Sequence, residues 1–555
     1  MSNRADLVIT GARVYRGAGD ASRSPVTGSW ASAVALSGDR IVAVGTEAEV
    51  RDQVGSATEA VHLPGRLVVP GFQDAHIHPP QAGRNRLTVD LEDLPGREAY
   101  LAAVHRYATA HPDEPWIYGG GWAMEHFPGG LPSKADLDEV APGRPVFLYN
   151  RDGHGAWVSS RVLEIAGIDA GTPDPPDGRI ERDPTTGEPT GTLHEGAAYS
   201  VFDRLVPQPD RSGWEAAILD AQAHLHSLGI TAWQDAWVTP ATEAAYLSLA
   251  ESGRLTARVV GSLWWERGDG LAQIPSLLAR REQGLARGGR AFRPTTVKIM
   301  TDGVLENFTG ALLEPYCDGC GGHGEGSGLD FVAHDELSAA VTELDGHGFQ
   351  VHMHAIGDRA VRNALDAVEA ARATNGAGDR RHHVAHIQLI DPADLPRFAA
   401  LDVVANCQPY WAQTEPQMEE LTIPYLGRER AGLQYLFGDL LRTGARLAMG
   451  SDWPVTTANP LQEMEVAVTR IDPENRAGAP FLPEQRLSLA AALAGFTSGT
   501  AYLNHDEADS GSIEVGKRAD LAVLDRDLFS DGAGPIGDAQ VELTVASGTV
   551  VHSRG

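Results

Sequence analysis

The sequence predicts an α/β fold: a TIM-like (β/α)8 barrel, a small β-sandwich domain built from both termini, and an inserted α+β subdomain after the first barrel strand. Three observations predict it. Apolar, β-branched runs recur through the middle of the chain at about the 30 residues that one strand–helix unit of such a barrel needs. Both ends of the 555-residue chain carry short strand-like runs separated by Gly and Asp. One interval is too wide for a single unit: His78 to Thr231 spans 153 residues, which calls for an insertion with its own structure rather than a bare loop.

The first barrel strand is the apolar run from Leu67 that ends in His76-Ile77-His78. Gly229–Trp233 and Arg258–Leu263 supply the next two strands, and Thr296–Met300 and Gln350–His354 the fourth and fifth. His382–His386 lies 32 residues after His354, one unit; from His386 to Asp452 is 66, two units, with Asp402–Cys407 between them. The arithmetic closes at eight. Residues 67–509 are therefore assigned to the barrel, residues 1–66 and 510–555 to the composite β domain, and residues 80–215 to the insertion. Within the insertion Trp116–Gly119 and Pro145–Tyr149 read as strands. Because it leaves the barrel after its first strand, it is expected to roof the mouth. The Gly-rich Tyr316–Gly328 segment is expected to be a mobile loop over the same face.

Composition narrows the function. With 75 acidic residues against 45 Lys and Arg, the net charge of −30 excludes nucleic acid and anionic membrane as natural partners, since both require basic surfaces. Three cysteines cannot form a disulfide framework and suit a reducing compartment. The N-terminal stretch MSNRADLVITGARV lacks the long apolar core of a signal peptide, and no apolar run approaches a bilayer span. A cytoplasmic location and a small-molecule partner are expected, and a homodimer is compatible with the sequence.

Residues two apart on a strand face the same way, so His76 and His78 project together. Lys298, His354, His386 and Asp452 stand at the ends of later strands. Imidazoles and a carboxylate converging on the C-terminal mouth of a parallel barrel are what a divalent metal site needs, with zinc foremost and one or two ions. Such an ion draws the pKa of a bound water toward about 7. Asp452 is then placed to accept the water's proton and return it to a leaving amine. His352 shares its strand with His354 and points inward equally well. His383, an odd number of residues from His386, is expected to face outward. Asp74 shares the face of His76. Asp302 and Gly303 follow Lys298 and shape its loop. Asp358 either orients a ligand histidine or caps the following helix, and the cap is preferred.

The order His-x-His, Lys, His, His, Asp resembles the amidohydrolase superfamily. The wording VKIMTDG (297–303), HAIGDRA (354–360), AHIQ (385–388) and GSDWPV (450–455) resembles its YtcJ-like branch, which includes N-substituted formamide deformylases. The resemblance runs over nearly the whole chain. It selects His354 over His352, which becomes a supporting or packing residue. It implies that Lys298 is carboxylated by CO₂ to a carbamate bridging two ions, one on His76, His78 and Asp452, the other on His354 and His386. The alternative for Lys298 is an unmodified cation near the substrate, with one metal at most. The family has a similar pattern at Gly121-Trp122 and His154-Gly155-Ala156-Trp157, so Trp122, His154 and Trp157 are implied as substrate contacts, His154 at the carbonyl. Val304–Thr309 is closer to the deformylase-like subset, and Asn307 within it is a further candidate contact. Trp264, Trp265, Tyr410, Trp411 and Trp453, at strand ends, suit an apolar substituent or pack beneath the insertion. Cys317 and Cys320, with His323 nearby, lack a second ligand pair, and the family's loop here carries no metal as a rule.

The expected activity is hydrolysis of a C–N bond in a small amide or N-substituted formamide, with Asp452, Lys298 and His154 catalytic. A deaminase or cyclic-amide hydrolase on the same scaffold is the alternative. An inactive binding scaffold would have shed metal ligands, and none is missing.

Overall fold

The computed structural model describes residues 4–17, 30–317 and 326–554. Its centre is a sheet of eight strands, all parallel, in the order in which they occur along the chain: Phe72–Ile77, Ile230–Val238, Arg258–Trp264, Phe292–Met300, Gln350–Ala355, His383–His386, Val404–Cys407 and Arg446–Met449. The first and last strands meet just past the ladder, where the Asp452 N–H donates to the His76 carbonyl (2.7 Å) and the His78 N–H to the Trp453 carbonyl (2.9 Å). Gly450 permits that approach. A Cβ there would lie 2.4 Å from the His76 amide nitrogen and 2.8 Å from Asp74 Oδ1, inside any tolerable contact.

The Leu67–His78 stretch, expected as one strand, is two. Leu67–Pro70 pairs antiparallel with Leu521–Leu524 and parallel with Leu7–Tyr15, in the sheet of the termini. Only after Gly71 does the chain enter the barrel. An unbroken apolar run hides this division, because both strands are buried on both faces. The terminal strands form one hydrogen-bonded sheet of eight, branching at Leu7–Tyr15. Its two arms pack Ile9, Val14 and Val34 against Val68, Leu521 and Val523 in a shared core.

The insertion has a six-stranded sheet of its own, between Val89 and Glu195. Two of its strands, Ile117–Trp122 and Val146–Asn150, match expectation, while Gly155–Val158, Gly178–Arg182, Pro189–Glu195 and the two-residue Val89–Asp90 were not read from the sequence. These are short, polar or glycine-containing runs that make sense only as partners of the apolar central pair. Among the described residues no helix is long and apolar enough to cross a membrane.

Candidate metal centre

Inward-facing residues fill the barrel in layers. Low in it, Gln234, Thr296 and Gln350 hydrogen-bond to one another. Above them stands a layer of imidazoles, and above that the open mouth. His76, His78 and Asp452 meet there: Asp452 Oδ1 lies 3.2 Å from His76 Nε2 and 2.9 Å from His78 Nε2. Asp452 Oδ2 is 3.8 Å from Nδ1 of His386. The ring of His386 is 4.7 Å from that of His76 and 4.6 Å from that of His354. With Lys298, all six expected ligands line one cavity of about 390 Å³.

His386 reaches the cavity by an unexpected route. Its backbone is left-handed (φ 77°), so strand alternation breaks at that residue. The strand's regular inward position falls to His383, fully buried with its ring 4.1 Å from that of His352. His383 thus points into the barrel beneath the mouth, not outward as alternation from His386 suggests. Asp452 and Glu195 are also left-handed, at φ 59° and 49°. Strained backbone at three positions of one site marks a geometry that the surrounding structure imposes.

The residues behind the cluster orient it. His352 Nε2 lies 2.8 Å from His76 Nδ1, and His352 Nδ1 lies 3.2 Å from the Ser262 hydroxyl. His354 Nδ1 is 3.1 Å from Asp302 Oδ1. Asp302 also accepts N–H bonds from Ala311, Ile356 and Gly357, at 2.9, 3.0 and 2.9 Å. It therefore does more than shape its own loop. Asp74 accepts the N–H groups of His76 (3.0 Å) and Ser451 (3.0 Å), holding together the two backbones that carry His76 and Asp452. Asp358 touches no ligand histidine. It accepts from Arg359 and Leu313 N–H groups at the start of the Asp358–Asn375 helix.

Electrostatics agree with a site built for a cation. Burial, then the nearby Lys298, pulls His76 down to about 3. Burial opposes ionisation of Asp452, but His76 and His78 outweigh it and hold the carboxyl well below its usual range. Burial lowers Lys298 to about 7, against the opposing pull of Asp452; its side chain is 2% exposed. Among the described residues its amine has no hydrogen-bond or salt-bridge partner. Among the described residues, Nδ1 of His386 and Nδ1 of His78 are buried without a hydrogen-bond partner. Such orphaned donor atoms are costly unless something else satisfies them. A neutral His76, an ionised Asp452 and the neighbouring His78, with ligand atoms within 4.8 Å of one another, fit a divalent ion.

The insertion supplies the opposite wall. His154 Nδ1 is 2.8 Å from Glu195 Oε2, and Tyr199 and Thr309 donate to the two Glu195 oxygens at 2.9 and 2.7 Å. Burial disfavours the charged imidazole, but Glu195 overcomes it and raises His154 to about 9. Its ring lies 5.4 Å from that of His354. Glu195 has no motif around it in the sequence and only the fold reveals its role.

Several expected substrate contacts lie elsewhere. Trp122 and Trp157 are buried in the insertion's core beside Phe127, their indole N–H groups bonded to the Leu148 and Ser133 carbonyls. They support the wall without touching the cavity. Asn307 donates to the His154 carbonyl (3.2 Å) and so positions His154. Trp453 is buried behind the mouth, its N–H 3.1 Å from Glu92; its neighbour Pro454 lines the cavity. Trp411 does line it, stacked on His386 with centroids 5.0 Å apart, and so does Trp264, whereas Trp265 and Tyr410 do not. Trp237, Tyr118, Tyr149 and Phe202 are among the other aromatic residues that line it. Tyr118, Tyr149 and Phe202 reach the cavity from the insertion, through long-range packing that local sequence does not encode. Cys317 is free and half-buried, and Cys320 and His323 lie outside the described residues.

Residues 59–552 match the amidohydrolase family. The chain is 32% identical to the protein LONG AFTER FAR-RED 3 of Arabidopsis thaliana, over 99% of this chain and 92% of that one. It is 30% identical to the N-substituted formamide deformylase of Arthrobacter pascens, over 100% and 99% of the two chains. A crystal structure of an uncharacterized metal-dependent hydrolase from Pyrococcus furiosus superposes with a TM-score of 0.69 at 26% identity, covering 94% of this chain and 99% of that one.

Proposed function

Since the chain belongs to the amidohydrolase family, we propose that it is a metal-dependent hydrolase cleaving the C–N bond of a small amide, N-substituted formamides foremost. The observation that carries this reading is the meeting of His76, His78 and Asp452, whose ligand atoms lie within 4.8 Å of one another, in the cavity that Lys298, His354 and His386 also line. The first three would hold one divalent ion, zinc foremost, and His354 and His386 would serve a second. When bound, the metal would acidify a coordinated water and polarise the scissile carbonyl.

The protein's own groups perform the rest. Asp452, ionised at neutral pH, accepts a proton as water attacks the carbonyl carbon. The cationic His154 presents Nε2–H to the carbonyl oxygen while negative charge grows on it. As the C–N bond breaks, Asp452 passes its proton to the departing nitrogen, leaving a free amine and a carboxylic acid. Trp411, Trp237 and Trp264 cover apolar parts of the substrate and exclude water.

Lys298 is assigned here as an N6-carboxylated residue. A buried amine lowered to about 7 is substantially neutral at physiological pH. It can attack CO₂ through its lone pair, releasing one proton and gaining a carboxylate. That would exchange an amine beside the metal ligands for an anionic oxygen donor suited to a divalent ion.

Elemental analysis after purification without chelators, with zinc and bicarbonate present, tests the centre. About two ions per chain supports the carbamate, and about one leaves Lys298 as an amine beside a mononuclear site. No metal and no hydrolysis overturns the reading. Formate and free amine released from N-substituted formamides identify the amide reaction; ammonia or a ring-opened product identifies the deaminase or cyclic-amide alternative.

A further inference from the structure

Three arginines line the cavity: Arg84, Arg151 and Arg267. Two are neutralised by carboxylates. Arg151 lies 3.3 Å from Glu125 and 3.5 Å from Glu415, and Arg267 lies 3.0 Å from Asp177. Arg84 is different. It is only 6% exposed, yet among the described residues no carboxylate forms an ion pair with it. Its Nη1 donates to Gln208 Oε1 (3.1 Å) and its Nη2 to the Pro207 carbonyl (2.8 Å). That leaves three of the five guanidinium N–H groups without a partner among the described residues. The guanidinium rests on the Tyr118 ring, 3.6 Å from its centroid, which favours the cation but does not neutralise it.

A buried guanidinium with no counter-ion is expensive, and proteins leave one so mainly where a ligand supplies the missing charge. Its surroundings point the same way. Gln81, Arg84 and Asn85 fall on one face of the Pro79–Leu87 helix, at i, i+3 and i+4, and all three line the cavity. Gln81 Oε1 and Asn85 Oδ1 are buried with no hydrogen-bond partner. The helix begins directly after His78, so its rise sets the Arg84 backbone about 9 Å along the helix axis from that of His78. Asp203 and Glu266 line the cavity as well, and neither is paired with Arg84.

We propose that Arg84 binds a carboxylate on the amine-side substituent of the substrate, making this chain selective for N-acyl or N-formyl compounds that carry an acid group, such as N-formyl amino acids. The proposal rests on the amide-hydrolase reading for the reaction, but its binding half stands apart from it. A guanidinium is the natural partner of a carboxylate, since its N–H groups supply both the opposite charge and hydrogen bonds. The aromatic side chains that line the same cavity suit an apolar side chain on the same substrate.

N-formyl-phenylalanine and N-formyl-phenylalaninamide test it, because they differ by one charge at nearly constant shape. With the zinc-loaded enzyme, the acid should show a KM lower by about 10- to 100-fold, the weight of a charged hydrogen-bonded contact. Arg84→Met should abolish that difference by raising KM for the acid alone, and Arg84→Lys should restore part of it. Equal KM values for acid and amide in the wild-type enzyme overturn the proposal, and need no variant to fold. So does an equal rise for both substrates in Arg84→Met. If neither compound is hydrolysed, the reaction assignment fails, and titration calorimetry of the two compounds against Asp452→Asn and wild-type protein decides the binding. Acid bound in preference to amide sustains the Arg84 site; equal binding, or none, refutes it.

Discussion

Nε2 of His352 stands 2.8 Å from Nδ1 of His76, and this contact determines which nitrogen of His76 faces Asp452. If Nδ1 of His76 donates to His352, then Nε2 carries a lone pair for a metal, and the proton on Nδ1 of His352 goes to the Ser262 hydroxyl, 3.2 Å away. One tautomer satisfies every nitrogen in the chain. The arrangement places His352 directly behind a ligand, a position that its sequence neighbourhood shares with simple packing.

Replacing His352 by Leu removes that support while keeping the volume apolar and similar. Zinc affinity, measured by competition with a chromophoric chelator, should fall about 10- to 100-fold. An unchanged affinity would reduce His352 to packing.

Asp452→Asn removes the proton acceptor and one metal ligand together. Hydrolysis should drop by at least about 1,000-fold, with the circular dichroism spectrum unchanged. Retention of more than a few per cent of the activity would assign the proton transfer to another group.

The His154–Glu195 pair sets a pH limit. His154 is raised to about 9, so catalysis that needs the imidazolium should fall as pH rises through about 9. Without Glu195 burial prevails and the imidazole loses its proton earlier. In Glu195→Gln the alkaline limb of the kcat/KM profile should therefore move to lower pH. The same pair affects stability with a definite sign. Its contribution through His154 is complete below the unfolded pKa of about 6.5 and disappears as pH rises through about 9. Glu195 is lowered to about 2, where burial is outweighed by His154; its contribution is complete above the unfolded value and disappears as pH falls through about 2. A kcat/KM profile that does not move in the variant would sever His154 from the reaction.

Trp122 and Trp411 separate support from contact. Trp122→Ala should cost about 3–5 kcal/mol in denaturant unfolding, as expected of an aromatic removed from a core. Trp411→Ala, half-buried over His386, should cost less and raise KM instead. The reverse pattern would return Trp122 to the substrate.

Much of the fold was legible because barrel strands are buried on both faces and read as continuous apolar runs. The runs at 258–263 and 296–300 lie within observed strands, and the run at 446–452 opens with the strand Arg446–Met449. Continuity also misled at Leu67–Ile77, where two sheets share one apolar stretch. The motifs marked His76, His78, Lys298, His354, His386 and Asp452, and all six line one cavity. The tryptophans were harder. Trp122, Trp157, Trp411 and Trp453 look alike in sequence, since an indole serves a core or a ligand equally well.

By itself the sequence determined which residue types end each strand, and so the chemistry available at the mouth. Strand ends are local, and side-chain alternation is dictated by the backbone. Tertiary structure alone decided which way those residues turn and what they meet. The left-handed backbone at His386, the Glu195 carboxylate behind His154, the Asp302 carboxylate behind His354 and the seating of Arg84 on Tyr118 all arise from elements brought together across long separations. No local pattern reports them, because burial and partnership belong to the packed chain and not to any one segment of it.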